Sequence, residues 1–155
     1  MNSEIAKKLE AILTHRDHQK QAAITQVSEQ QKAEAKNLVD FAAKKDEVIK
    51  PAFQEIVDLY AARGVTLRME EKDERPNDKG GVQFASIRLD MAGVYSSRSD
   101  MKPEFKFTFE KGNRTLALYT STTSQGGPGG NISLDAITAD WIHDAFLKYA
   151  SGSSR

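Results

Sequence analysis

The stretch EFKFTFEKGNRTLALYT, residues 104–120, decides the fold. Phe105, Phe107 and Phe109 alternate with Lys106, Thr108 and Glu110. A period of two marks a strand with one buried face. Leu116 and Leu118 repeat the pattern over Thr115 to Thr120. Between the runs lies Lys111-Gly112-Asn113-Arg114. A two-residue type II′ turn takes glycine at its first central position, so Gly112-Asn113 is expected to form one. That turn sets Phe109 opposite Leu116 and Phe107 opposite Leu118. Turn chemistry and hydrophobic pattern agree on one register, which predicts an antiparallel hairpin.

Towards the N-terminus, Ala92 to Pro103 is polar and reads as a loop. A strand is expected from Val82 to Met91. Its apolar parity changes between Phe84 and the series Ala85, Ile87, Leu89 and Met91, which predicts a bulge or burial on both faces. Glu71 to Gly81 is charged and contains Pro76, Asn77 and Asp78, so it is a second loop. Val65, Leu67 and Met69 alternate with polar residues as a first strand. Towards the C-terminus, Ser121 to Gly130 reads as a flexible Gly/Ser/Thr-rich connection, and Asn131 to Ala136 as a short fifth strand. Thr138 is an N-cap residue type. The helix it opens carries Trp141, Ile142, Ala145, Phe146 and Tyr149 on one side.

Upstream of the sheet, Val48, Ile49, Ala52, Phe53, Ile56, Val57 and Tyr60 form a wide apolar helical stripe that ends at Gly64. Pro51 disfavours helical geometry at Lys50 and removes a backbone donor, so a break or kink is expected around residues 44–50. Before it, Thr14 to Lys36 consists largely of Gln, Lys, Glu, His and Ala, with no glycine or proline. These are mostly helix formers without a core face. Only Ile5, Leu9, Ile12 and Leu13, at i, i+4, i+7 and i+8, make an apolar stripe there.

The pattern predicts an α+β protein. Residues 1–45 are a long polar helical arm and the expected oligomerisation element. Residues 46–150 are an α+β domain with a four- to five-stranded, mainly antiparallel sheet. Helices 46–63 and 138–150 pack on its apolar face, and 151–155 form a flexible tail.

Composition removes several function classes. The chain has 22 basic and 22 acidic side chains, ten of each within residues 1–64. Neither half carries the basic excess of a nucleic-acid binder, and nothing attracts an anionic membrane surface. The absence of cysteine excludes disulfides, thiolate zinc sites and a cysteine nucleophile, and fits a cytoplasmic location. Glu4, Lys7, Lys8 and Glu10 interrupt the N-terminal stretch, which is therefore not expected to be a signal peptide.

Local motifs fall short of a specific chemistry. His15 and His18, and Asp140 with His143, have helical spacings seen in metal sites but lack further ligands, so no metal or cofactor is expected. Gly126-Gly127-Pro128-Gly129-Gly130 is not followed by the Lys-Ser/Thr of a phosphate loop. No Gly-x-Ser-x-Gly elbow occurs, and no catalytic residue is assigned.

Topology supplies a candidate ligand site. In an antiparallel meander, loops 92–103 and 121–131 share one end of the sheet. This gathers Arg98 and Lys102 near Thr122, Ser124 and Gln125, a polar set suited to an anionic ligand or an acidic segment. The leading expectation is nevertheless a non-enzymatic adaptor or scaffold that self-associates through Ile5, Leu9, Ile12 and Leu13. A further protein partner, but no nucleic acid or membrane, is expected. Two other classes stand beside it. One is a small-molecule-binding or enzymatic domain using the two loops. The other is an inhibitor or adaptor that binds another protein by a sheet edge.

Overall fold

In the computed structural model, which describes residues 2–95, 102–122 and 126–151, the helix does not end before Pro51, but the irregularity expected around residues 44–50 is present as a change of helix type. Helix α1 (Ser3–Lys44) runs into a π-helical turn (Lys45–Ile49) and then into α2 (Lys50–Ala61). The wider turn lets the Lys50 N–H donate to the Lys45 carbonyl. Pro51 follows directly as the second residue of α2, so the ring without an N–H sits where the π-helical bond pattern gives way to the α-helical one. The sequence rule against proline inside a helix is met by changing the helix type, not by ending the helix.

Among the described residues seven strands follow: β1 (Arg68–Lys72), β2 (Arg75–Pro76), β3 (Val82–Gln83), β4 (Ser86–Asp90), β5 (Glu104–Glu110), β6 (Thr115–Ser121) and β7 (Gly126–Ser133). Helix α3 (Ala139–Ala150) comes last. Strands β1, β4, β5, β6 and β7 form an antiparallel five-stranded sheet in that order, and β2 pairs with β3 as a separate small hairpin. The fold is α+β with a long N-terminal helix, as the sequence predicts.

The hairpin register is the expected one, Phe109 opposite Leu116 and Phe107 opposite Leu118. The turn type is not. Gly112 lies outside the positive-φ residues, and Arg114 takes the left-handed conformation at φ 55°. The connection is a four-residue loop between the paired residues Glu110 and Thr115. Both turns are centred on the 112–113 bond, so the register survives the change. The Arg114 side chain helps to hold its unusual backbone. Its guanidinium donates to Asp40 at 2.6 Å, Asn37 at 2.8 Å and Asp135 at 2.6 Å. Those ion pairs push its already high pKa higher still.

The expected strand 82–91 is divided where its parity changes. Val82 and Gln83 belong to the small hairpin, and Ser86–Asp90 to the main sheet. The expected first strand begins later, at Arg68, because the Val65 N–H donates back to Tyr60 and closes the end of α2. The last strand is the larger correction. Gly126–Ser133, most of it read as a flexible connection, is the edge strand β7. Its register shifts at Leu118/Tyr119, so that Gly129 is the extra residue of a bulge. Added side-chain atoms would collide there. A Cβ at Gly129 would lie 2.9 Å from the Leu118 side chain, and one at Gly126 only 2.4 Å from the Tyr119 hydroxyl. Pro128 is tolerated because an edge strand has an unpaired side.

The chain divides into two compact units at the 36/37 boundary. In the second unit the core lies between the sheet and the helices. Phe105, Phe107 and Phe109 are fully buried with Phe53, Ile49, Ile87, Leu89, Leu116 and Ile142. Phe41 stacks on Phe109 with ring centres 4.6 Å apart. The last two turns of α1 thus belong to this core. Thr138 caps α3 as expected, its hydroxyl accepting from the Trp141 N–H at 3.1 Å. The opposite sheet face is a polar ladder, with Arg88 bridging Glu70 and Glu104, and Lys106 over the Tyr119 ring. Among the described residues no helix is long and apolar enough to cross a membrane.

Candidate functional site

The first unit is helix without a core. None of the described residues up to Lys36 is buried. Ile5, Leu9, Ile12, Leu13, Ile24 and Val27 are between 45% and 63% exposed. At about 100° per residue, all six fall within roughly 60° of Leu9 around the helix axis. Val27 lies five turns above Leu9, on the same line. The stripe is thus longer than the four residues singled out from sequence. Ile24 and Val27 escape a local reading because they stand ten or more residues beyond Leu13, separated by polar side chains. Arg16 and Lys20 occupy the same sector between the two apolar groups.

The loop end of the sheet is the second candidate. Asp90, Glu104, Ser121 and Gly126 form one cross-strand row there. The Ser121 hydroxyl donates to the Lys102 carbonyl at 2.7 Å and accepts from the Glu104 N–H at 3.1 Å. The ends that carry Lys102 and Thr122 are therefore adjacent. Thr122 is half-buried and lines a shallow groove of about 140 Å³ with Thr120, Gly127, Pro128 and Tyr149. The Lys102 side chain is exposed. Arg98, Ser124 and Gln125 lie outside the described residues.

A second groove of about 360 Å³ adjoins the first between β6, β7 and α3. Trp141, Thr120, Pro128 and the Asp144–Lys148 ion pair line it. The glycines of β7 leave this space by offering no side chains. The Tyr149 phenol at this end is strongly perturbed, pushed up chiefly by burial and further by Tyr95. Its hydroxyl is occupied, donating to the Ser121 carbonyl at 2.7 Å.

A third surface is an apolar groove of about 460 Å³ between α2 and α3. Leu59 and Leu147 stand exposed on its two walls, above Ile56, Tyr60 and Phe146. Glu55 and His143 approach to 3.0 Å at its edge, without the alignment of a hydrogen bond. Each leucine lies off the buried stripe of its own helix, so neither helix alone announces the groove. Among the described residues no group of three or more His, Asp or Glu side chains is arranged to hold a metal ion.

No family model, curated protein or solved structure matches the chain. Its surfaces and their chemistry therefore carry the functional reading.

Proposed function

We propose that this protein is a non-enzymatic interaction module that self-associates through its N-terminal helix. One observation carries the reading: a helical unit exposes six large apolar side chains along one line and buries none of them. Isolated helices are marginal in water even when their residues favour helix, and most helical stability in proteins comes from packing an apolar face. A second copy offers the same face, and closed symmetric pairs are the common way to cover it. The balanced charge of the chain sets no net repulsion between copies. Its location is proposed to be the cytoplasm, on the absence of cysteine.

The double substitution Leu9→Asp with Ile12→Asp tests the proposal. Light scattering should show the variant as a monomer where the wild type is larger. Near-ultraviolet circular dichroism from Trp141, in the second unit, should be unchanged. A variant that keeps the wild-type mass would refute the role of this face.

A further inference from the structure

The direction of the pairing follows from where the apolar and charged residues sit on the stripe. The inference rests on the self-association reading and adds register to it. Two apolar groups, Ile5 to Leu13 and Ala23 to Val27, flank the cations Arg16 and Lys20, and Glu34 follows in the same sector. In a parallel, in-register pair, every residue faces its own copy. Arg16 would meet Arg16, Lys20 would meet Lys20 and Glu34 would meet Glu34, and like charges across a helix pair are unfavourable. An antiparallel pair avoids the self-facing and matches the two apolar groups to each other.

We infer that two copies pair antiparallel, with Leu9 against the partner's Val27, Ile12 against the partner's Ile24 and Leu13 against the partner's Ala23. Two-fold symmetry repeats each contact, so all six large apolar side chains enter the seam. The same register sets Ile5 beside the partner's Gln31, whose aliphatic stem covers its inner side. It leaves two unfavourable contacts related by the two-fold, Arg16 near the partner's Lys20 and Lys20 near the partner's Arg16, at the middle of the seam, against the three like-charge contacts of the parallel pair. Ser3 then faces the partner's Ala33, so the overlap stops short of the second unit of either copy.

The spacing suits straight helices. Leu9 and Val27 are separated by five turns of about 3.6 residues, so the stripe runs parallel to the axis with no need of a left-handed supercoil. The overlap of residues 3–33 is about 46 Å long. A contact strip about 10 Å wide then covers roughly 900 Å² over both copies, less than the 1,200–2,000 Å² of stable standard-size interfaces. The pair is accordingly a reversible one, at micromolar rather than nanomolar strength.

The chain contains no cysteine, so introduced thiols report without background. Full-length Leu9→Cys and Val27→Cys proteins are treated with a short bismaleimide, separately and mixed. The mixture should give a covalent dimer, roughly tenfold more than Leu9→Cys mixed with Lys32→Cys, whose thiol lies off the stripe. Each variant alone should give little. Strong cross-linking of Leu9→Cys with itself would mean parallel pairing and overturn the inference. No cross-link above the control, with a dimeric wild type in sedimentation, would overturn the register and leave self-association standing. A monomeric wild type would remove both.

Discussion

Replacing Phe41 by alanine asks whether the end of α1 is part of the core or merely runs past it. Phe41 is 2% exposed and its ring lies parallel to Phe109, 4.6 Å between centres and 5° between planes. The Lys45 ammonium sits 5.3 Å from the same ring and pairs with Glu71 at 3.0 Å. Deleting a buried phenylalanine costs about 3–5 kcal/mol through lost transfer energy and the cavity left behind. A well-formed aromatic pair contributes about 0.5–1.5 kcal/mol of that. Phe41→Leu, which keeps most of the volume, should therefore lose about 1–2 kcal/mol. Against a typical domain stability of about 5–15 kcal/mol, the alanine variant should remain folded but melt far earlier in urea. With a slope of about 1.5 kcal/mol per molar, its midpoint should fall by roughly 2–3 M. Trp141 fluorescence and far-ultraviolet circular dichroism, read together, check that unfolding stays two-state. An alanine variant that loses less than about 1 kcal/mol would refute the packing, since that is the range of exposed substitutions.

The glycines separate two kinds of position. A Cβ at Gly93 would lie 2.6 Å from the Thr66 carbonyl oxygen, whereas one at Gly112 meets nothing within 4 Å. Gly93→Ala should cost about 1–3 kcal/mol in denaturant melts and Gly112→Ala less than about 0.5. A costly Gly112→Ala would restore the II′ turn. Alkaline pH should unfold the protein through Tyr149. Its phenol stays protonated in the fold above the ordinary pKa of about 10, where the unfolded chain releases its proton, so stability is intact below pH 10 and falls above it. Urea melts across this range should show the decline, and Tyr149→Phe should flatten it. Deleting residues 1–36 should remove much of the helical dichroism and leave a cooperative melt of residues 37–155, provided Phe41 is kept. A truncated chain without cooperative unfolding would show that the first unit supports the second.

The sheet was legible where side chains carry the signal. Phe105 to Leu118 alternate cleanly, and their register does not depend on which turn is centred at 112–113. β7 was illegible because its signal is the absence of side chains. Gly126 and Gly129 leave room for the Tyr119 and Leu118 side chains, a tertiary fact with no local period. Pro51 marks the place of the irregularity but not its form, because the local rule assumes an α-helical bond pattern and the π turn supplies another. Of the candidate loop site, the Ser121–Lys102 hydrogen bond sets the strand ends next to Lys102 and Thr122 side by side. The groove between α2 and α3 needed two helices at once. On α1, Ile5 to Leu13 was visible as one stripe, but its continuation to Val27 required an unbroken helix across the polar stretch between them.

Self-association is the central claim, and sedimentation equilibrium of the full-length protein tests it most directly. Six half-exposed apolar side chains per copy gain about 1 kcal/mol each on full burial, about 12 kcal/mol for two copies, and with an association cost in the lower half of the roughly 4–15 kcal/mol range about 5–7 kcal/mol is left for binding. The expected result is a reversible equilibrium between the 17.2 kDa chain and twice that mass, with the dimer growing in across tens to hundreds of micromolar. A single 17.2 kDa species throughout that range would contradict it.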